Sequence, residues 1–278
     1  MVSHTIAIGA EPVPPHGVPA PPTELSPEEA DAFVAALPTD QRLIFLFDSL
    51  PPGDLRSRVG FRIQDLTLTD PAPALSLFFR TSDPEIWGPL SYALSRSADA
   101  SVVDAMVDLF TSGQQSRQRA NADAVLSNIS NPAAAPRLMA QFDLVGESTT
   151  HRQLRAALAR GLGTIGTPEA VHFLFQAAHD DPNPRRVEVG IESGIASITS
   201  PNARPALLDL LASNGLGESA KVRWLTLAAL RHHPDPAVVV ALRHRAPLEA
   251  SALRTAMQDL AEALEAEIEY SSSETSAE

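Results

Sequence analysis

QRANADAVLSNISNP (118–132), LRAALARGLGTIGTP (154–168), VEVGIESGIASITSP (187–201) and VRWLTLAALRHHPDP (222–236) are four versions of one phrase. Aligned on the closing proline, each has Arg119, Arg155, Glu188 or Arg223 thirteen positions upstream. Each also has an aliphatic residue six positions before the proline: Leu126, Leu162, Ile195 or Leu230. The prolines Pro132, Pro168, Pro201 and Pro236 are 36, 33 and 35 residues apart. A period of this size is that of stacked helical hairpins, in which each unit buries its apolar face only against its neighbours.

Working outward, helices are expected over about 101–112, 115–130, 133–145, 148–165, 168–179, 184–199, 202–213, 218–232 and 236–245, with Pro or Gly near most joins. An earlier hairpin, opened by Asp70-Pro71, fits loosely, with Trp87 in the arginine slot and Leu94 in the aliphatic slot. Ser26-Pro27-Glu28-Glu29 is a capping box that starts the first helix, and helices over about 40–50 and from Asp54 to about Leu68 come after it. The expected organisation is a disordered proline-rich arm (1–24), an irregular helical cap (25–69), repeats (70–246), a capping helix (247–268) and a disordered acidic tail (269–278). Leu253, Met257, Leu260 and Leu264 form the apolar stripe of that last helix.

Composition narrows the function. The chain of 278 residues carries a formal charge of −13, which disfavours nucleic acid and acidic membranes as partners. No basic stripe is legible on the outward positions of the phrase helices. Cysteine is absent, excluding disulfides, thiolate catalysis and cysteine-ligated metals. No apolar run is long enough for a membrane helix. MVSHTIAIGAEPVPP lacks a basic segment followed by an apolar core, so a cytoplasmic location is expected. Twenty of 21 basic residues are arginine, a usage that suggests a GC-rich bacterial source.

The phrase resembles the HEAT-like repeats first described in phycobilisome lyases, whose consensus is similar to V-R-x-x-A-A-x-A-L-G-x-I-G-D-P-x-A-V. VRWLTLAAL (222–230) and ALARGLGTIGTPEAV (157–171) carry it best, over about 83–246, and Glu188 departs from it. The resemblance implies an all-α, right-handed α-solenoid of antiparallel hairpins, a HEAT-like or armadillo-type superhelix. The phrase helices would line its concave side. It implies no single function, since the family includes chromophore lyases, scaffolds, regulators and DNA-repair relatives.

On the helical wheel, positions −1, +3, +7 and +10 from the arginine slot form the core stripe: Leu154, Leu158, Leu162 and Ile165 in one repeat, Val187, Ile191, Ile195 and Ile198 in the next. Position +6 (Gly161, Gly194, Ala229) is small enough for neighbouring helices to approach closely. The outward line, +1, +5 and +8, runs through Gly88, Tyr92 and Ser95, through Ala120, Ala124 and Ser127, and through Ala156, Arg160 and Gly163. It ends at Val189, Ser193 and Ala196, then Trp224, Ala228 and Arg231. This reads as a groove floored by small residues with aromatic anchors near its ends. Tyr92, Asn121, Arg160, Trp224 and Arg231 are the expected contacts for a protein or peptide partner. The slot arginines are expected to be structural, bonding a carboxylate or carbonyl of the adjacent repeat.

Three motifs point to chemistry and fail on context. Gly161-Leu-Gly163-Thr-Ile-Gly166 matches G-x-G-x-x-G but ends a helix instead of joining a strand to one, so no dinucleotide is expected. His232-His233, with His244, lacks metal-ligand spacing and reads as surface histidines at a turn. Asp123 and Glu192 lie two helices apart, too far for paired acid–base work. The expectation is a non-catalytic scaffold or adaptor without cofactor, metal or catalytic residues, its oligomeric state open. The alternative implied by the resemblance is a lyase or chaperone handling a tetrapyrrole, and a helical-repeat DNA-repair protein fits less well.

Overall fold

A computed structural model describes residues 26–37, 46–47, 49–51, 53–67, 70–80, 84–112, 116–145, 149–182, 188–212 and 216–275. The arm at 1–24, most of the helix expected at 40–50, and Val187 lie outside them. Fourteen α-helices and no strand occur among the described residues. By their internal contacts they divide into two units between Leu90 and Ser91.

The first unit contains α1 (Pro27–Ala35), α2 (Asp54–Thr67), α3 (Ala72–Arg80) and the start of α4 (Pro84–Ser95). The capping box forms: Glu29 N–H donates to Ser26 Oγ at 3.3 Å, and Ser26 N–H donates to Glu29 Oε2 at 2.9 Å. Arg58 ties α2 to α1 through Asp31 and bonds Asp54 within its own helix. Val34, Phe47, Val59, Ile63 and Leu77 are buried.

The second unit alternates first helices, α5 (Ala100–Ser112), α7 (Ala135–Leu144), α9 (Pro168–Asp180), α11 (Arg204–Ala212) and α13 (Pro236–Arg245), with second helices. These are α6 (Ser116–Ser127), α8 (Thr149–Ile165), α10 (Val189–Ala196) and α12 (Ala220–Leu230), and α14 (Ser251–Thr275) closes the series. Pairs of helices stack into an all-α solenoid, with Leu126, Leu138, Leu158, Leu174, Ile195, Leu207 and Leu230 in its core.

The closing proline of each phrase has a local cause. The residue before it is held extended by the proline ring, and in three of the four, all but Ser200, its side chain caps the next helical turn. Asn131 Oδ1 accepts from Ala133 N–H at 3.1 Å, Thr167 Oγ1 from Ala170 N–H at 3.3 Å and Asp235 Oδ1 from Ala237 N–H at 2.8 Å. α6 and α10 stop at Ser127 and Ala196, about one turn before the expected ends. After α8, Gly166 takes φ +60° and its N–H reaches Leu162 C=O at 3.0 Å, the left-handed cap that glycine permits.

Second helices touch through backbone. A Cβ on Gly161 would lie 2.3 Å from Leu126 O, and one on Gly194 2.6 Å from Ala159 O. Gly163, expected on the outward line, is buried, and a Cβ there would lie 2.0 Å from Gly194 O. All three glycines of the G-x-G-x-x-G match are thus fixed by packing or by the turn.

Polar contacts between successive turns repeat the sequence period. Ser130 N–H donates to Ser95 O (3.0 Å), Thr164 Oγ1 to Ser127 O (3.0 Å) and His233 Nε2 to Ile198 O (3.1 Å). His232 is exposed as expected, but His233 is buried, because its ring serves as this inter-repeat strut. Burial lowers the His233 pKa; the Ile198 carbonyl opposes this, while His232 and Arg204 reinforce it.

α14 continues past the expected end at 268 to Thr275. Ser271 and Ser272 hydroxyls donate to the carbonyls of Glu267 and Ile268, four residues back, at 2.9 and 2.8 Å. The serines that suggest a disordered tail here bond along the helix.

Gly163→Ala is expected to lower stability. The methyl meets a backbone oxygen, so overpacking of about 1–3 kcal/mol or more outweighs the ~1 kcal/mol of helix propensity regained. Gly88→Ala, with nothing within 4 Å of its Cβ, is expected to gain about 0.5–1 kcal/mol; urea denaturation of the two variants compares them. A second expectation concerns pH. With its folded pKa below the usual 6.5, His233 leaves the unfolded chain to bind the proton first. Its contribution is whole above about pH 6.5 and is lost as pH falls through the lower folded value. His233→Gln, which keeps an Nε2 donor, is expected to show a smaller fall in Tm between about pH 8 and pH 5 than the unsubstituted chain.

Candidate functional site

The second helices carry the candidate face. Position +1 places Ala120, Ala156, Val189 and Trp224 one helix apart on α6, α8, α10 and α12, where Val189 is 78% and Trp224 47% exposed. Ala124, Arg160, Ser193 and Ala228 come one turn later. At +8, Ser127 is half-buried and Ala196 and Arg231 are exposed, but Ser95 and Gly163 are buried. Those two leave the outward line because the wheel gives the angle of a side chain and not how near the next helix comes.

The expected contact residues fare differently. Tyr92 is 60% exposed; its hydroxyl accepts from Arg96 Nη1 at 2.7 Å, and the same guanidinium lies 5.3 Å from its ring centroid. Asn121 is half-buried on α6, and Arg231, at the C-cap of α12, is exposed. Arg160 is internally engaged. From α8 it donates to Asp123 Oδ1 (2.7 Å) and Ser127 Oγ (2.9 Å) on α6 and to Ser193 Oγ (3.4 Å) on α10. It therefore clamps three successive second helices at the middle of the face. Burial raises the Asp123 pKa, opposed by this arginine. Asp123 is thus a structural ion-pair partner on α6, and Glu192 sits exposed on α10.

Two slot arginines are structural, as expected. Arg155 reaches Glu188 at 3.1 Å, donates to the Phe142 and Val145 carbonyls at 3.4 Å and stacks 4.1 Å from the Phe142 ring centroid. Glu188, the departure from the repeat pattern, is therefore the partner of the preceding repeat's slot arginine. Arg223 bonds the Gly217 carbonyl and Glu249 Oε2. Glu249 has no place in the phrase and was missed by sequence reasoning. It is 4% exposed and takes Arg223 on one oxygen and Arg245 on the other, the latter at 2.7 Å. One carboxylate so pairs with two nearly buried guanidiniums where α12, α13 and the start of α14 meet, offsetting one of their two charges.

Charge is layered. The second helices with their caps (116–127, 149–165, 188–196, 220–231) hold eight Arg and Lys against three carboxylates, Asp123, Glu188 and Glu192. First helices α5, α7, α9, α11 and α13 hold four against six, and α14 holds one against six. The outward line itself carries two of these cations, Arg160 and Arg231. Arg117, Arg152 and Lys221 sit a turn before +1, at the N-terminal ends of their helices, outside the positions counted.

Among the described residues no group of three His, Cys, Asp or Glu is placed to hold a metal ion, and no helix is long and apolar enough to cross a membrane. Glu249→Ala is expected to cost about 3–5 kcal/mol, because it leaves two buried guanidiniums without a counter-charge; the midpoint of chemical denaturation measures it.

Residues 143–217, from the end of α7 to the turn before α12, match the family model of HEAT repeats. The match is to HEAT repeats in general and not to the phycobilisome-lyase type. No curated protein matches the sequence. The period near 35, the paired helices, the capped prolines and this match agree: the chain is a HEAT-like repeat protein, an all-α solenoid.

Proposed function

We propose that this protein is a non-catalytic scaffold or adaptor that holds a segment of a partner protein along the face of its second helices. The observation that carries it is the apolar row Ala120, Ala156, Val189 and Trp224, exposed except at half-buried Ala156 and set on helices whose neighbouring outward positions are mostly small. Exposed aromatic side chains flanked by small residues are the usual anchors of peptide recognition. The second helices also pack on one another more closely than the first ones do, as expected for the inner side of a curved stack. HEAT repeats commonly mediate protein interactions through such a face.

The span supports a segment over a small molecule. From α6 to α12 is three interhelical steps of about 8–10 Å each, or roughly 7–9 residues of extended chain. Asn121, Trp224 and Arg231 are the proposed contacts along it, with Tyr92 beyond α6 and Arg160 in the floor.

The test is capture of partners from the source cell, with the unsubstituted chain beside a Tyr92→Ala/Trp224→Ala variant, read by mass spectrometry. Both residues are exposed, so helicity is expected to stay unchanged while a specific protein is lost from the variant. Identical captures would show that this face carries no partner. A coloured tetrapyrrole in place of a protein would put the lyase or chaperone reading first.

A further inference from the structure

We propose that the junction of α12, α13 and α14 is a binding site for a phosphate group, held by the guanidiniums of Arg223, Arg245 and Arg254.

The first support is a charge that the fold leaves unanswered. The two oxygens of Glu249 take Arg223 Nη1 and Arg245 Nε. Arg254 folds back onto the same turn, where its Nη2 donates to Glu249 O at 2.9 Å and to Pro247 O at 3.4 Å. Three guanidiniums therefore gather at one carboxylate, and three charges less one leave an excess of two. Arg137, Arg155, Arg160 and Arg204, by contrast, each pair with a carboxylate of their own: Asp104, Glu188, Asp123 and Asp235. The excess also lies where water helps little. Arg223 and Arg245 keep only 14% and 15% of their side-chain exposure, and a cation so far withdrawn from solvent is costly without a counter-charge.

The second support is the set of donors left over. Arg223 spends Nε on the Gly217 carbonyl and Nη1 on Glu249, and Arg245 spends Nε alone. Among the described residues, Arg223 Nη2, both terminal nitrogens of Arg245, and Nε and Nη1 of Arg254 have no hydrogen-bond partner. The free nitrogens of Arg223 and Arg245 are not sealed from solvent. Glu249 fixes these two guanidiniums next to one another, so little ordering remains for a second anion to impose. The start of α14, directly after this turn, adds the positive end of a 25-residue helix.

A phosphate group fits this balance. A monoester carries about 1.5 to 2 negative charges at pH 7 and presents three acceptor oxygens, which answers the excess and suits the planar forks of arginine. A carboxylate brings one charge and leaves one cation unmatched. Inorganic phosphate and a small phosphate monoester offer the same oxygens, and titration separates them.

Isothermal titration of the full chain with sodium phosphate, chloride holding the ionic strength constant, is expected to show one saturable site with a Kd on the order of 1 mM or tighter. Glycerol phosphate is titrated in parallel: tighter binding gives the site to a phosphorylated small molecule, equal or weaker binding to the free anion. Arg254→Gln, at an exposed position, is expected to keep its helicity and to bind phosphate about tenfold more weakly. Arg243→Gln, which removes a neighbouring guanidinium paired with Glu265, is expected to bind as the unsubstituted chain does. Acetate bound as tightly as phosphate would overturn the phosphate assignment. Equal weakening in Arg243→Gln and Arg254→Gln would overturn the site, since surface charge at large then accounts for both. The absence of saturable heat up to about 10 mM phosphate would overturn it without recourse to any variant.

Discussion

The fold depends on backbone-to-backbone contact between second helices. Gly163 of α8 meets the carbonyl of Gly194 on α10, and Gly194 in turn lies on the Ala159 carbonyl. With no Cβ between them the two helices approach more closely than side chains allow. First helices bury side chains instead, among them Leu138, Leu174 and Leu207. Arg160 completes this arrangement, since its three bonds are made only when α6, α8 and α10 stand at the present distances.

What the sequence made legible was local. The capping residue, the proline after it and the aliphatic slot each act within one turn, so their meaning survives without a partner. Helix ends were less legible, since periodicity marks a helix's apolar face more sharply than its last turn. What stayed hidden depended on the next repeat. Gly163 has the wheel position of a surface residue and becomes core only because Gly194 comes to it. His233 looks like any turn histidine until Ile198 supplies a carbonyl 35 residues earlier in the chain. Glu249, outside every phrase, has no sequence signal except its nearness to Arg245 and the start of a helix.

The candidate face shows the same division. Its apolar row comes from the wheel, and exposed Trp224 and Val189 stand where the wheel puts them. The segregation of charge is not visible in a net value of −13, since acidic α14 and the first helices conceal the sign of the second layer. Only the sorting of helices into two layers separates them.

Arrays of similar units carry a hazard of misregistration, since one hairpin can dock against the wrong copy during folding. The pairing of Arg155 with Glu188 makes one junction chemically unlike the rest. Were the hairpin bearing Glu188 bypassed, Arg155 would face Arg223, and attraction would become repulsion. A single departure from the repeat pattern thus gives the array a sense of order, marking the succession of its units.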